Sequence, residues 1–399
     1  MAENLTESQN WGATKEALME GLDGQRKQTM NVILENTKSY LAEAATAGAT
    51  QAGNVAALNK VILPVIRRVM PTVIANELIG VQPMTGPVGQ IHTLRVRYAD
   101  AHTNSAGTNT TAGEEALSPF KIAAGYSSGT PDSTGYAAAY TASQEGRAGN
   151  RLSIQIIKEV VEAKSRRLSA RWTFEAAQDA QAMHGLDVEA EILAALAQEI
   201  TTEIDQEILA SLRSLAGADE EYNQNSTSFT GTPHYVGDRH AIIAILMNEQ
   251  ANLVAARTRR GAANWAVVSP SVLTALQSAT TSAFARTTEG TFEAPTNVKF
   301  VGTLNGTMRV YVDTYYSDGG SGADILLGYK GSTETDAAAF YCPYVPLMSS
   351  GVVMDPGTFE PVVSFLTRYG YKELTNTANS FGNAGDYVSG ISVDHLSFL

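Results

Sequence analysis

Residues 187–214 read DVEAEILAALAQEITTEIDQEILASLRS and contain neither glycine nor proline. The stretch is rich in alanine, glutamate, glutamine, leucine and isoleucine, and most of these residues favour helix. Because four residues turn about 400° at 3.6 residues per turn, apolar residues at every fourth position form a stripe that winds around the helix axis. That stripe consists of Val188, Ile192, Leu196, Ile200, Ile204, Ile208 and Leu212. We therefore expect a helix of about 42 Å that buries different sides against different neighbours along its length.

Residues at both ends of this stretch are suited to a helix terminus. Asp187 can cap the first turn, and Glu189 and Glu191 are favourable near the positive end of the helix dipole. Arg213 is favourable at the opposite end, and Gly217 is a plausible stop. The sequence thus predicts a structural backbone helix.

The composition limits the class of protein. A chain of 399 residues that is 44% hydrophobic and 17% charged is typical of a globular protein with two or three subdomains. No apolar run approaches the roughly 18 residues of a membrane span, and the N-terminus lacks the pattern of a secretory signal, so we expect no membrane partner. The single cysteine, Cys342, excludes an intramolecular disulfide and indicates a reducing compartment.

The net charge of −13 argues against tight wrapping by nucleic acid, because phosphate binding needs a basic surface. It does not exclude a surface that merely faces nucleic acid.

The first 60 residues have the pattern of an arm rather than a domain. A helix is predicted from Gln25 onward, and residues 44–59 are small and suit a linker. Apolar residues lie close to one face of that helix, namely Met30, Ile33, Leu34 and Leu41.

The next segments predict a short helix and then a long hairpin. Residues 61–84 are dense in apolar side chains and favour a helix around 65–77, and a turn marked by glycine and proline follows at 85–90. Alternating apolar residues predict strands at 91–98 and at 152–161. The two strands would form the arm of the hairpin.

Residues 101–150, between these strands, include 31 alanine, glycine, serine or threonine residues. One interpretation is a disordered loop, and the other is a segment inserted at the tip of the hairpin arm. A structureless loop of this length would be unusual inside a compact domain. We therefore favour a segment that is ordered when it docks, with aromatic residues that can pack: Phe120, Tyr126, Tyr136 and Tyr140.

The second half of the chain alternates helices and strands, and residues 236–334 have the pattern of a mixed α/β subdomain. The predicted elements are a strand and a short helix within 166–185 that ends at His184–Gly185, a helix at 238–259, a strand at 265–268, a helix opened by Ser269–Pro270, and strands at 298–302, 308–315, 324–329, 338–347 and 361–371. Turns are expected at Asn305–Gly306 and Asp318–Gly319, and a tail rich in glycine, asparagine and serine closes the chain.

The search for a catalytic, cofactor or metal site is negative. The sequence has no phosphate loop, dinucleotide-binding fingerprint or nucleophile elbow. The six histidines lack zinc-like spacing, and we expect His234 and His240 in a solvated loop. Cys342 lies in the apolar run FYCPYV, which favours a buried small side chain over a nucleophile. Acidic residues of the long helix are expected on its exposed face, namely Glu199, Glu203, Asp205 and Glu207.

Several blocks of the sequence occur in the order found in one known family. They are VIRRVMPTVIANELIGVQPMTGPVGQIHTLRVRY at 65–98, VVEAKSRRLSARWTFEAAQDAQAMHGLDVEAE at 160–191, MRVYVDTYY at 308–316, and GYKGSTETDAAAFYCPYVPL with FEPVVSFLTRYG across 328–370. These blocks resemble the major head protein of T-even-type tailed bacteriophages, and they span most of the chain from about 60 to 371.

The resemblance implies an α+β architecture, the Hong Kong 97-like capsid fold. Its expected parts are an N-terminal arm (1–60), the start of a peripheral domain (61–84), an extended β-hairpin arm (85–165) with the inserted low-complexity segment 101–150, a peripheral domain (166–235) with a spine helix (187–214), an axial domain (236–334), and a return to the peripheral domain with a C-terminal tail (335–399). The long helix, the hairpin and the mixed α/β segment predicted above are matching parts. The inserted segment is shorter than the inserted domain of the family.

The resemblance also points to a candidate processing site, because T-even-type head proteins are trimmed by a phage protease after a hydrophobic–x–Glu pattern. Such triplets occur at 18–20, 33–35 and 41–43. The last is best placed, since Ala44 follows Glu43 and opens the small-residue linker. The first two lie in or near helical sequence and would need local unfolding. The alternative is that all three are ordinary helix surface, and we predict an uncleaved chain whose first 60 residues are held against neighbouring subunits.

The resemblance implies a structural shell protein, not an enzyme, that needs no cofactor. It would be located in the virion capsid and assembled in the host cytoplasm. Its partners would be copies of itself in hexamers, with pentamers left open, together with vertex, decoration, scaffolding and portal proteins; its wall would face double-stranded DNA without sequence-specific binding. Two alternatives remain at this point. A cellular nanocompartment of the same fold would enclose protein cargo instead of DNA, and a soluble enzyme would form a small, discrete oligomer.

Overall fold

The computed structural model describes most of the chain between residues 73 and 396 and a short part of the N-terminal segment. The described residues are 15–16, 19, 24, 27–36, 73–103, 109–114, 116, 125–128, 138–184, 187–216, 219–224, 236–258, 260–278, 284–286, 298–316, 324–332, 336–358, 360–374 and 384–396. Helices in these ranges are α1 (described over 27–36), α2 (Ala75–Leu78), α3 (Thr141–Gln144), α4 (Phe174–His184), α5 (Val188–Ala216), α6 (Val236–Thr258) and α7 (Pro270–Ser278). Together with two mixed sheets they confirm the α+β class.

Helix α5 confirms the long helix predicted from residues 187–214. Asp187 caps it, since its Oδ1 accepts a hydrogen bond of 3.1 Å from the backbone N–H of Glu189. The predicted stripe is buried from Leu196 to Leu212, and a second row, one position further along the chain, is buried beside it. That second row consists of Leu193, Ala197, Thr201, Asp205 and Leu209. The two rows together give the helix a buried surface wide enough for two neighbours.

A five-stranded sheet is one of these neighbours. Its strands are β1 (Gly80–Val81), β4 (Lys164–Arg171), β11 (Ala339–Ser349), β12 (Val353–Met354) and β13 (Pro361–Glu373). Strand β13 pairs antiparallel with β11 and with β4, while β1 pairs parallel with β11. Burial alternates along the first nine residues of β13, as expected for a strand with one face packed on a core.

A seven-stranded sheet is the other neighbour. In spatial order its strands are β5 (Glu220–Asn223), β14 (Val388–Asp394), β10 (Ile325–Gly328), β6 (Trp265–Val268), β9 (Met308–Asp313), β8 (Val298–Leu304) and β7 (Phe284–Arg286). Trp265 and Val267 pack in the core that contains α5, whereas Ala266 and Val268 pack in the core formed with α6 and α7. Because both faces of β6 are covered, all four of its residues are buried. The long helix therefore lies between two sheets, which is why its apolar stripe must wind.

Strands β2 (Val88–Tyr98) and β3 (Leu152–Glu162) form the predicted hairpin. They pair antiparallel without interruption from Val88 opposite Glu162 to Tyr98 opposite Leu152. Strand β2 begins at Val88, inside the stretch for which the sequence predicted a turn. Gly89 is not a turn residue here. It allows the strand to approach Met84 closely, because a Cβ at this position would lie 3.1 Å from Met84 Sδ.

Polar contacts join the regions on either side of α5. Asp313, at the end of β9, is fully buried and accepts hydrogen bonds of 2.9 Å from both Gln206 and Arg213 of α5. Arg309 of β9 forms an ion pair of 3.0 Å with Glu77. Arg213 thus does more than complement the helix dipole, because it anchors the end of α5 to the seven-stranded sheet.

Five of the described strands were not predicted, namely β1, β5, β7, β12 and β14, and the most informative is β14 in the C-terminal tail. Val388 and Ile391 of β14 are fully buried, and the strand pairs with β10 and β5. The tail is rich in glycine, asparagine and serine, which do not favour a strand. Strand β14 forms because it pairs with β10 and β5, which are distant in sequence. Strands β5 and β14 lie at one edge of the seven-stranded sheet, and in sequence they come before and after residues 236–334. Strand β7 forms the opposite edge.

The described part of the N-terminal segment packs on the same chain. Met30, Ile33 and Leu34 of α1 are buried in the core that contains α5. Asn36 Nδ2 donates a hydrogen bond of 2.7 Å to the carbonyl oxygen of Met84. The apolar face of α1 was predicted, and it packs on the core of its own chain. Other predicted features lie outside the described residues: Leu41, residues 65–72 of the predicted helix, Phe120, Tyr136, Gly217, His234 and Asp318–Gly319.

Candidate assembly surface

The described residues were searched first for chemical sites. Among them, no group of three or more His, Cys, Asp or Glu side chains could hold a metal ion. No described helix is long and apolar enough to cross a membrane. Cys342 is buried, as predicted, and burial raises the pKa of its thiol to about 12. Its thiolate is therefore scarce near neutral pH, which does not suit a nucleophile.

The prediction of a solvated loop at His240 is wrong. Helix α6 begins at Val236 and therefore includes this residue, whose side chain is 1% exposed. Its Nδ1 lies 2.7 Å from Ser278 Oγ of α7. His240 lies three residues before the buried Ile243, so the two residues share the buried face of the helix. The prediction did not take this helical spacing into account.

The acidic residues of α5 do not share one exposed face. Glu199 is exposed as predicted, and Glu203 is largely so. Asp205 is 2% exposed, and its Oδ1 accepts a hydrogen bond of 2.9 Å from the backbone N–H of Ile74. Glu207 is half-buried. The prediction was wrong for Asp205, which lies in the second buried row of α5, and for Glu207, which contacts Arg166 and Tyr369.

Glu207 belongs to a cluster around Arg166 of β4. The Arg166 guanidinium lies 2.7 Å from Glu203 Oε2 and 2.7 Å from Glu207 Oε2, and it donates to the Tyr369 hydroxyl at 2.6 Å. The Tyr369 hydroxyl in turn donates to Glu207. Burial pushes the pKa of Glu207 upward, but hydrogen bonds from Tyr369 and Arg166 outweigh it, and the pKa is lowered. The cluster fastens strand β4, which follows the hairpin, to the long helix.

The sequence did not predict this cluster, because its members are 37, 41 and 203 residues from Arg166. The available signal was the alternation in KSRRLSAR. In a strand, Leu168 and Ala170 share a face with Arg166, and an arginine on the apolar face of a strand needs a buried partner.

One face of the hairpin exposes a row of large apolar side chains. Cross-strand partners share a face, so residues 152, 154, 156 and 160 of β3 lie on the same face as Val88 of β2. Ile154 and Ile156 are 69% and 66% exposed, and Leu152, Val160 and Val88 are each about half exposed. Exposed large apolar side chains grouped on one face in this way mark an interaction site.

The root of the hairpin, at Val161 and Glu162 of β3, packs closely on Gly370 of β13 in the five-stranded sheet. A Cβ at this position would lie 2.4 Å from Val161 Cγ1, 3.2 Å from the carbonyl oxygen of Glu162 and 3.4 Å from Met84 Cε. Only glycine permits this approach. The close approach of Val161 and Glu162 to Gly370 therefore constrains the direction in which the exposed apolar face points.

The far end of the hairpin has a small core of its own. Tyr126 is buried and packs on Tyr98 with ring centroids 4.5 Å apart. Its hydroxyl donates to the carbonyl oxygen of Arg151 at 2.6 Å, and Arg151 forms an ion pair of 3.0 Å with Asp100. Packing by Tyr126 was predicted, but Tyr140 is 89% exposed, so the prediction that it packs is wrong within this chain.

The processing candidates lie in different surroundings. Glu43 and Ala44 lie outside the described residues. Ile33 and Leu34 of the second triplet are buried in helix α1, and Glu35 forms an ion pair of 2.6 Å with Lys15. Cleavage after Glu35 would therefore require unfolding of α1.

Comparison with known proteins gives a consistent result. Residues 55–394 match the family described as major capsid protein Gp23. The major capsid protein of Vibrio phage KVP40 is 30% identical, with 83% of this chain and 80% of that protein covered. The major capsid protein of Enterobacteria phage T4 is 29% identical, with 83% of this chain and 78% of that protein covered. A solved structure from Mycobacterium phage Bobi covers 81% of this chain and 90% of its own at 11% identity, with a TM-score of 0.47.

Proposed function

The chain belongs to the Gp23 family of major capsid proteins, and from this membership we propose that its copies assemble into an icosahedral head that encloses double-stranded DNA. It is a major capsid protein of a tailed phage, it resides in the capsid, and its fold is the Hong Kong 97-like α+β fold. Hexamers are the proposed unit of the shell, and assembly takes place in the host cytoplasm. The family is one of structural proteins, and no catalytic role is proposed.

The observation that carries this proposal is the exposed apolar face of the hairpin. Ile154 and Ile156 project from a two-stranded sheet that, among the described strands, pairs with no third strand. An isolated two-stranded hairpin is marginally stable in water, and it gains stability when its apolar face is covered. A second copy of the chain is the partner that a self-assembling shell supplies in abundance.

The charge of the chain supports a wall that contains DNA without binding it tightly. At a net charge of −13, the surface as a whole repels phosphate. Pentamers of this chain and vertex, decoration, scaffolding and portal proteins are further proposed contacts of the shell. The nucleic-acid content of purified particles tests the proposed enclosure of double-stranded DNA.

The test is assembly of purified chain, followed by negative-stain imaging. The wild-type chain should give closed shells hundreds of ångströms across or regular hexameric sheets. Ile154→Asp together with Ile156→Asp should leave the subunit folded but abolish these particles. Gln155→Asp is the matched control, since Gln155 is exposed on the opposite face of β3 and should have little effect. A wild-type chain that remains a monomer or dimer at every concentration and salt would overturn the proposal.

A further inference from the structure

Basic and acidic residues are segregated along the chain on either side of residue 172. Residues 151–171 contain six lysines or arginines and two acidic residues. Residues 172–212 contain nine aspartates or glutamates and neither lysine nor arginine. In the structure, the first stretch is mostly strands β3 and β4, and the second is helices α4 and α5. One chain therefore carries two surfaces of opposite charge.

Strand β4 presents its basic residues on both faces. Arg166 points toward α5 and is satisfied there by two carboxylates of the same chain. Arg167 and Arg171 point to the opposite face and are exposed. Arg368 of β13 shares that outer face, because its neighbour across the pair is Ser165, and its guanidinium lies 5.3 Å from the Tyr344 ring centroid. We call these three arginines, 167, 171 and 368, the arginine face.

Two residues of the arginine face, Arg167 and Arg171, are exposed in the described part of the chain, and Arg368 is half-buried. Strand β4 pairs with β13 alone among the described strands, so it forms an edge of the five-stranded sheet. The Arg171 side chain is 69% exposed, and its one ion pair within the described residues, with Glu360, is long at 4.0 Å. No ion pair of Arg167 is found within that part of the chain.

Helix α4 carries the complementary charge on a nearly bare helix. Among its described side chains Ala177 alone is half-buried, and the others are exposed. Its large apolar side chains are partly exposed to solvent, Phe174 at 45% and Met183 at 78%. Glu175 and Asp179 lie four residues apart on one face, where two like charges destabilise a helix. A helix with this composition is stabilised when a cationic surface with some apolar character covers it.

We propose that the arginine face of one copy docks on helix α4 and the adjoining first turns of α5 of a second copy. Within one chain the middle of α5 packs against the opposite face of β4, where Glu203 and Glu207 contact Arg166, so this part of α5 does not cover the arginine face. The contact joins two different surfaces, so repetition of it closes a ring when the rotation between copies permits, as a hexamer requires. This inference rests on the shell assembly proposed above and names the charged surfaces that join its subunits.

Double-stranded DNA is the other polyanion that the arginine face could meet in a filled head. The acidic helices favour the second copy, because they supply a complementary surface on the same chain in equal number. Charge reversal on α4 distinguishes a second copy of the chain from DNA as the partner of the arginine face. Reversing charge on α4 affects a contact between copies but leaves a contact of the arginine face with DNA intact.

The test uses full-length chains with reversed charges. One variant carries Arg167→Glu and Arg171→Glu, a second carries Glu175→Lys and Asp179→Lys, and a third carries all four substitutions. Each two-residue variant should raise the chain concentration needed for shell formation by on the order of tenfold, because like charges then face each other across the contact. The four-residue variant should return this threshold close to that of the wild type.

Matched controls reverse exposed charges elsewhere. Arg147→Glu and Glu249→Lys change the net charge in the same directions at exposed positions outside both surfaces, and they should leave the threshold unchanged. Circular dichroism and thermal melting establish that each variant is folded. If a reversed variant fails to fold, Arg167→Gln with Arg171→Gln replaces it, and a smaller rise in the threshold is expected.

Two outcomes overturn the inference while the capsid assignment stands. Folded two-residue variants could assemble at the wild-type threshold, or the four-residue variant could stay as defective as its parents. In the first case, weaker binding of a short DNA duplex by hexamers of the Arg167→Glu, Arg171→Glu chain than by wild-type hexamers would assign the face to DNA. Failure of the wild-type chain to assemble at all is a different result and concerns the proposed function itself.

Discussion

Substitution of Gly370 by alanine tests whether the root of the hairpin sets the direction of its apolar face. The new Cβ would lie 2.4 Å from Val161 Cγ1, whereas carbon atoms usually approach to about 3.5–4.0 Å. Val161 is β-branched and 2% exposed, so it has little freedom to rotate away. The root of the hairpin must therefore move by about 1 Å.

The movement is amplified along the hairpin. Strand β3 has eleven residues at about 3.4 Å each, so its far end lies roughly 35 Å from the root. A shift of about 1 Å across the first two residue spacings, about 7 Å, tilts the hairpin by about 8° and moves its far end by about 5 Å. That displacement is enough to misplace Ile154 and Ile156 on a neighbouring copy.

The energetic cost separates into two parts. Overpacking of a core costs about 1–3 kcal/mol, while replacing glycine by alanine stabilises by about 0.4–1 kcal/mol through the unfolded state. Gly149→Ala is the matched control, because a Cβ there meets no atom within 4 Å. Both variants replace glycine by alanine, so the stabilising contribution of the unfolded state is the same in both. When their free energies of unfolding are compared, only the cost of overpacking remains. We therefore expect Gly370→Ala to be less stable than Gly149→Ala by about 1–3 kcal/mol.

The measurement pairs urea unfolding of unassembled chain with shell yield by sedimentation. Gly370→Ala should fold with reduced stability and lose most of its shells, whereas Gly149→Ala should behave like the wild type. Val161→Ala removes the clashing methyl groups, so adding it to Gly370→Ala should recover part of the shell yield. Wild-type stability and yield for Gly370→Ala would refute the reasoning.

Three further predictions follow from the long helix and the arm. Ile200→Asp places an unpaired charge at a site that is 1% exposed, which costs several kcal/mol, so soluble chain and shells should both be lost; a normal shell yield would show that the stripe is not buried. The folded state lowers the pKa of Glu207, so this residue adds stability that is present above its ordinary pKa of 4.5 and is lost as the pH falls through the lowered value. Glu207→Gln should therefore lower stability at neutral pH and flatten its decline in acid, and unchanged acid sensitivity in urea melts would contradict this. Intact-mass measurement on mature virions should show an uncleaved chain, and a chain that begins at Ala44 would overturn that prediction and leave the capsid assignment standing.

Sequence reasoning succeeded where a local pattern determines the structure. The fourfold spacing of apolar residues predicted α5 to within two residues at its end, and the Ser269–Pro270 signal predicted α7. The Asn305–Gly306 turn also formed as expected, with φ angles of 53° and 70°. In each case the information lies within a few residues of the element, so no knowledge of distant neighbours is needed.

Sequence reasoning failed where a distant part of the chain decides the environment. Asp205 is polar and was placed on an exposed face, yet the backbone N–H of Ile74, 131 residues away, provides its hydrogen bond. The alternation of β3 was predicted correctly, but alternation alone does not tell a buried face from an exposed one. Ile154 and Ile156 have the pattern of core residues, yet among the described residues their side chains are 69% and 66% exposed.

The exposed apolar face of the hairpin must remain soluble until a partner covers it. A two-stranded hairpin has two open edges, and an unbroken apolar row between them would favour indiscriminate association. His92 and Lys158 face each other across the pair and are both exposed on this same face. They divide the row into a root part, Val88 with Val160, and an outer part that contains Ile154 and Ile156. A partner that buries the whole row must also accommodate these two polar side chains, so the hairpin favours a specific site over any apolar surface.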